Sequence, residues 1–340
     1  MNVRRVARFL PLVAIVYLVG PVGFQVLNAS GSTGAVEFRQ LETAARTLNA
    51  AEVVNWQSLA SAWSRPDTAS TPIVLTYHDV AEDSESEYVV TPLQFAEQMN
   101  GLAVAGAHVM TAEEFRAFQD GAPAAPRSVL ITFDDGTLGV WRYAEPILRS
   151  HNFSAVAFVI TGSVGTRWPY YMGWAQIDEL VATGRWAIEA HTHLGHRKIE
   201  TGGNGETGSF LSSLLWLPEG EGRLETLEEY RDRIVADLDS CVEQLRLRGL
   251  GRAGLFAYPF SDFGSASNDL RAPVMLDGLI RQRFGASFNT GINPLALRGP
   301  FQYNRLTITR PTTSVLLMDQ LTQIIDRNLT VLAQRSSHPA

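Results

Sequence analysis

The chain of 340 residues has one cysteine, Cys241, and one lysine, Lys198. A single cysteine excludes an intrachain disulfide and any zinc site built from several thiolates. Its position in a predicted helix marks it as a packing residue. The lone lysine among 28 basic residues reads as compositional bias toward arginine. Positive charge is also short. The net charge is −7, and −10 once residues 1–28, with Arg4, Arg5 and Arg8 and no acid, are set aside. An acidic surface argues against nucleic acid or anionic lipid as the main partner. Charged residues make up 19% of the chain and apolar ones 45%, the balance of a globular protein. At this length the chain can bury a large core, as one big domain or two small ones.

Long apolar runs are equally scarce. The one that stands out spans residues 9–27, behind the three arginines. Nineteen residues approach the length that spans a bilayer, and the basic flank predicts a cytoplasmic N-terminus with the rest of the chain extracytoplasmic. Residues 1–28 are therefore expected to be a membrane anchor, with a cleaved signal peptide as the alternative because Pro11, Gly20, Pro21 and Gly23 weaken the helix. Residues 29–70 read as a linker and a spacer helix over 41–63. The main domain is expected over 71–330, with 331–340 as a tail.

Within the main domain, apolar runs alternate with helical patterns. Strands are predicted at 73–77, 108–110, 129–133, 155–160, 186–190, 255–257, 287–289 and 305–309. Helices are predicted near 140–149, 174–183, 224–248, 273–284 and 314–329, and helix starts are marked by Thr91-Pro92 and by the capping box Thr111-Ala112-Glu113-Glu114. This alternation predicts an α/β fold, a distorted (β/α) barrel of seven or eight parallel strands, with a doubly wound open sheet as the alternative. The Gly-rich stretch 200–222, with its apolar island 210–217, reads as a surface loop or lid rather than core.

Two constellations carry the chemistry. The strand at 129–133 runs into Asp134-Asp135-Gly136, and the strand at 186–190 runs into His191-Thr192-His193-Leu194-Gly195-His196. Asp-Asp-Gly alone is good turn composition. Two histidines with one carboxylate form a donor set that leaves positions open on a divalent metal. One acid of the pair would bind and the other would serve as general base, because consecutive strand-end side chains diverge. His78, ending the strand 73–77, and Phe260, just past the strand 255–257, would open on the same face.

Thr132-Phe133-Asp134-Asp135-Gly136 resembles the first signature of the polysaccharide deacetylase family, the NodB-homology domain. The histidine motif resembles its second signature, with the wider spacing of the biofilm poly-N-acetylglucosamine deacetylases. Leu75-Thr76-Tyr77-His78-Asp79-Val80 resembles their opening strand. The resemblance implies that Asp135, His191 and His196 bind a divalent metal, zinc with nickel and cobalt as alternatives. It implies that Asp134 is the base, that His78 protonates the leaving amine, and that Tyr258-Pro259-Phe260 forms the third signature, with the Phe260 N–H at the oxyanion. The family's arginine falls on Ala257, so a substitute is needed, with Arg305 and Arg310 as candidates. The implied activity is de-N-acetylation of an N-acetylhexosamine polymer. The alternatives are a peptidoglycan or other amide or ester deacetylase, and a metal-retaining glycan-binding module without turnover. Tyr77, Trp168, Tyr170, Tyr171 and Trp174 are candidates to stack on sugar rings. His193 is expected not to be a ligand.

Overall fold

A closed ring of parallel strands forms the centre of the molecule. The structure, a computed structural model, describes residues 50–64, 71–220, 222–291 and 300–337. The expected anchor at 1–28 lies outside the described residues. Among the described residues no helix is long and apolar enough to cross a membrane.

Eight strands are numbered in chain order: β1 Ile73–Tyr77, β2 His108–Val109, β3 Ser128–Phe133, β4 Ala155–Val159, β5 Trp186–Ala190, β6 Leu255–Ala257, β7 Ala286–Thr290 and β8 Gln302–Thr307. Seven of them close the barrel in the order β1-β8-β7-β6-β5-β4-β3, and β3 returns to β1 in register from Ile73↔Val129 to Tyr77↔Phe133. Short β2 attaches to the start of β3 at His108↔Ser128. The ring is uneven. β5 and β6 pair only at Phe256↔Ala190, and β1 meets β8 only at Leu75↔Leu306 and Thr76↔Thr307.

Strand periodicity explains the two cores. Side chains alternate across a strand, so residues two apart share a face. Ile73, Leu75 and Tyr77 of β1 and Val129, Ile131 and Phe133 of β3 pack outward in one cluster with the helices. Val74, Leu130, Val156, Phe158, Phe288 and Tyr303 form a second cluster inside the ring. Phe115 and Phe118 of the helix Ala112–Gln119 join that inner cluster. With both faces covered, the strands read as continuous apolar runs, which is why they are visible in the sequence.

The surrounding helices are α1 Ala50–Trp63, α2 Pro92–Val104, α3 Ala112–Gln119, α4 Glu145–His151, α5 Trp174–Ala182, α6 Leu227–Arg246, α7 Arg271–Arg281 and α8 Ser314–Ser337. α2, α3 and α6 start on capping boxes, Thr91 with Gln94, Thr111 with Glu114 and Thr226 with Glu229. The spacer helix α1 packs on the domain through Trp56, Leu59 and Trp63. A Cβ on Gly101 of α2 would lie 2.2 Å from the Trp56 ring, so only glycine fits there. Cys241 of α6 is fully buried, and burial pushes its thiol up to about 12, so it is inert.

Three expectations need correction. The helix predicted over 140–149 opens as a π turn, Val140–Ala144, before α4. Pro146 has no N–H to give the Arg142 carbonyl, and the Glu145 N–H reaches back to Val140 instead. The last helix continues past residue 329 to Ser337. The stretch 200–222 is not a free lid. It holds two small antiparallel ladders, Lys198–Glu200 with Thr207–Ser209 and Trp216–Leu217 with Arg223–Leu224. Between them Phe210, Leu211 and Leu214 are buried in the main core. The Tyr230 hydroxyl donates to the Leu211 carbonyl at 2.5 Å, and Arg233 donates to the carbonyls of Phe210 and Ser213. The glycines mark turns, and the apolar island between them supplies the burial.

Candidate active site

The C-terminal ends of the parallel strands meet at one mouth, where barrels of this kind place their chemistry. His78 follows β1, Asp134 and Asp135 follow β3, His191 follows β5 and Phe260 lies just beyond β6. All five line a cleft of about 850 Å³, together with Asp79, Tyr88, Tyr170, His196, Tyr258 and Thr307. Asp135 (φ 74°), Thr192 (φ 72°) and Phe260 (φ 56°) take left-handed backbone conformations, which non-glycine residues adopt at a cost. Their clustering, continued by Ser261 (φ 53°), places backbone strain at the rim.

The two adjacent carboxylates go to different places. Asp134 continues the inward face of β3, two residues after Thr132, and points into the barrel. Its two oxygens accept from both terminal nitrogens of Arg305, at 2.7 and 2.6 Å. Arg305 also donates to the Thr132 hydroxyl at 3.2 Å. The Arg305 side chain is wholly buried and flanked by the rings of Phe158 and Phe288. Burial alone would push the Asp134 carboxyl up. Arg305, aided by His191 and His78, outweighs that effect and holds it below the usual carboxylate range. The pair is a bidentate fork, the geometry that fixes a carboxylate in one orientation.

Asp135 turns to the rim instead. Its Oδ1 lies 3.4 Å from His191 Nε2 and 3.2 Å from His196 Nε2. His191 Nδ1 is 2.8 Å from the Ala257 carbonyl. A carbonyl only accepts, so Nδ1 carries the proton and Nε2 presents a lone pair toward Asp135. Burial opposes charge on Asp135, but the facing imidazoles of His191, then His196, hold its carboxyl well below the usual range. Burial by itself lowers His191 as well, but Asp135 and Asp134 outweigh it and raise the imidazole; His196 is lowered by burial and by His191. These three residues form a group whose ligand atoms all lie within 4.8 Å of one another.

This group fits a divalent metal. Asp135 Oδ1 is a buried oxygen with no hydrogen-bond partner, although two ring nitrogens face it. Lone pairs converging without a hydrogen between them are stable around a cation. The Ala257 carbonyl supplies the outer hydrogen bond that orients a ligating imidazole.

Other predicted residues take distinct positions. His78 has a buried Nδ1 without a hydrogen-bond partner, and its ring lies 4.9 Å from that of Tyr88. Tyr258 and Pro259 are buried, and the Tyr258 N–H donates to the Phe288 carbonyl. The phenol of Tyr258 is pushed up to about 12 by burial. The Phe260 ring is held 4.4 Å from the ring of His196, with Lys198 Nζ 4.4 Å from its centroid. His193 is not part of the group; its Nδ1 is 3.0 Å from the Thr161 hydroxyl. Of the candidate stacking aromatics, Tyr77 is buried in the core and Trp174 lies against Arg248. Tyr170 is exposed on the cleft wall. Arg310, the other substitute considered for the missing arginine, is bound to the backbone at Ser84 and Glu87.

Sequence reasoning missed Asp237. This α6 carboxylate is buried and accepts the N–H groups of His193 and Leu194 at 3.0 and 2.7 Å. It pins the loop between His191 and His196. One signal was present: Asp237 stands among Ile234, Leu238 and Cys241, an acid on an apolar stripe.

Residues 121–273 match the polysaccharide deacetylase family. A segment of the chain is 32% identical over 109 residues to poly-β-1,6-N-acetyl-D-glucosamine N-deacetylase of Staphylococcus epidermidis, and 33% identical over 112 residues to that of Staphylococcus aureus strain MRSA252. These segments cover 31% and 32% of this chain but only 38% and 39% of the relatives, so the match spans well under half of the relatives' length. The fold is shared with a de-N-acetylase from Aggregatibacter actinomycetemcomitans, at a TM-score of 0.63 and 19% identity over 74% of this chain and 99% of that one. IcaB from Ammonifex degensii aligns at a TM-score of 0.58 and 25% identity, over 74% and 97%.

Proposed function

Because residues 121–273 match the polysaccharide deacetylase family, we propose that the chain is a member that hydrolyses N-acetyl groups on an N-acetylglucosamine polymer, with residues 71–330 as the catalytic domain. The observation that carries this reading is the pairing of two sites 1 residue apart in the chain: Asp134 forked on Arg305, and Asp135 facing His191 and His196. One part holds a base ionised, and the other offers a metal site beside it. The likeness to poly-β-1,6-N-acetyl-D-glucosamine N-deacetylases supports that polymer as the substrate. The basic-then-apolar segment 1–28 supports action outside the cytoplasm.

A divalent metal held by Asp135, His191 and His196, zinc by its donor set, would supply Lewis-acid polarisation of the acetamide and a lowered water pKa. Asp134 takes the proton from the attacking water. Arg305 keeps Asp134 ionised and fixes its orientation, filling the place left by Ala257. The Phe260 N–H donates to the acetamide oxygen as negative charge grows there. His78, across the cleft, gives its proton to the sugar nitrogen, because an amide nitrogen leaves only when protonated. Acetate and a free amino sugar result. The reading without turnover rested on the missing arginine, and Arg305 removes that ground.

The test is acetate release from β-1,6-linked N-acetylglucosamine oligomers by the purified chain, before and after chelation and on return of zinc, nickel or cobalt. Release that vanishes with the chelator and returns with metal is expected. No release from the folded, metal-loaded chain overturns the proposal.

A further inference from the structure

We propose that the catalytic cleft continues past Tyr170 into a second pocket that receives the sugar next to the one being deacetylated. This inference rests on the deacetylase reading and adds to it a binding subsite. The second pocket is about 210 Å³ and is lined by Glu82, Asp83, Gly139, Arg142, Tyr143 and Tyr170, among others. Asp79, Ala81, Asp83, Pro169 and Tyr170 line both hollows, so the two are one groove with Tyr170 at the junction.

Three features suit a pyranose ring there. Tyr170 is 48% exposed, enough to offer a ring face to the C–H side of a sugar. The residue is nonetheless fixed: its carbonyl accepts the Leu138 N–H at 2.8 Å, its N–H donates to the Arg167 carbonyl at 2.8 Å, and its ring meets that of Tyr171 edge-on at 4.7 Å. A fixed aromatic loses little freedom on binding. Arg142 is exposed and makes no ion pair among the described residues. The guanidinium only donates, and the Asp83 carboxylate only accepts. A sugar hydroxyl does both, so the two walls match a ring bearing hydroxyls on its edge. Gly139 lets the walls come together, since a Cβ there would lie 2.1 Å from the Val80 carbonyl oxygen and 2.2 Å from Asp79 Oδ1.

The groove therefore predicts a chain-length effect that Arg142 controls. Arg142 lines the second pocket and not the catalytic cleft. The experiment measures kcat/KM for acetate release from β-1,6-linked N-acetylglucosamine oligomers, from the shortest that reacts upward, for the wild type, Arg142→Ala and Arg142→Glu. In the wild type kcat/KM is expected to rise with length. The variants should lose that rise by roughly tenfold, the worth of one charge-assisted hydrogen bond, and should leave the shortest substrate unchanged. Tyr170→Ala should lower all substrates, the longer ones most. A length dependence that survives in Arg142→Glu overturns the subsite and leaves the deacetylase reading standing. Wild-type protein that releases no acetate at any length overturns both.

Discussion

Asp134 and Asp135 are neighbours in the chain and sit in opposite surroundings. Asp134 looks into the barrel, dry and forked on a buried arginine, while Asp135 looks out to the rim and two imidazoles. Strand geometry makes the difference, because consecutive side chains take opposite faces. The left-handed turn at Asp135 then swings the second carboxylate toward the end of β5. Two identical side chains thus obtain two electrostatic settings without any difference in composition. The interior setting fixes an ionised carboxylate, as the proposed base requires, and the rim setting turns an anionic oxygen toward two imidazoles, as the proposed metal site requires.

Exchanging each acid for its amide gives the largest effects and separates the two roles. Asp134→Asn should cut acetate release by about 10²–10⁴, the usual worth of a general base, with metal binding intact. Asp135→Asn should abolish release by weakening metal binding. If both variants bind metal alike, the division between the two acids is wrong.

The interior half is next. Arg305→Ala leaves the Asp134 carboxylate buried without its partner, and unfolding by denaturant should show a loss of about 3–5 kcal/mol. Arg305→Ala combined with Asp134→Asn should recover much of that loss, because the uncompensated charge is gone. A double variant no more stable than the single one would argue that Arg305 acts through packing.

The rim half is supported from behind by Asp237, whose carboxylate holds the histidine loop by two backbone N–H groups. Asp237→Asn sets an NH2 that cannot accept against one of the two backbone donors, and should weaken zinc binding by about 10–100-fold in competition with a chromophoric chelator while lowering the melting temperature of the metal-free protein only modestly. An unchanged zinc affinity would make Asp237 a packing residue only.

The smallest effect concerns a third carboxylate beside the pair. Asp79 accepts from the Val80 N–H and the Thr137 hydroxyl, yet burial raises its pKa to about 6. A carboxyl raised in the folded state contributes stability at low pH, and that contribution is lost as pH climbs from its unfolded value of 3.8 through about 6. Asp79→Asn keeps an oxygen for both donors and removes the charge. In the metal-free protein it should raise stability at pH 7–8 by about 1–3 kcal/mol and change it little near pH 4. Equal effects at both pH values would show that the charge is not what costs stability.

Much of this arrangement was legible in the sequence because it is local. Buried parallel strands read as apolar runs, and the chemistry sits at their ends, so Asp134, Asp135, His191 and His78 lie next to patterns that locate them. Partners set by barrel closure were not legible. Arg305 lies 171 positions from Asp134 and meets it only because β8 pairs with β1 and β1 with β3. In the sequence it was no better placed than Arg310. The stretch 200–222 was misread for a related reason. Its glycines signal turns, while the burial of Phe210, Leu211 and Leu214 depends on α6 lying across it.

The central claim is that one acid binds the metal and its neighbour does the proton transfer. A calorimetric zinc titration of Asp134→Asn, run beside its acetate assay, addresses that directly. The account predicts wild-type zinc affinity with turnover lost. Zinc binding that disappears with the turnover, or turnover that survives the substitution, would contradict it.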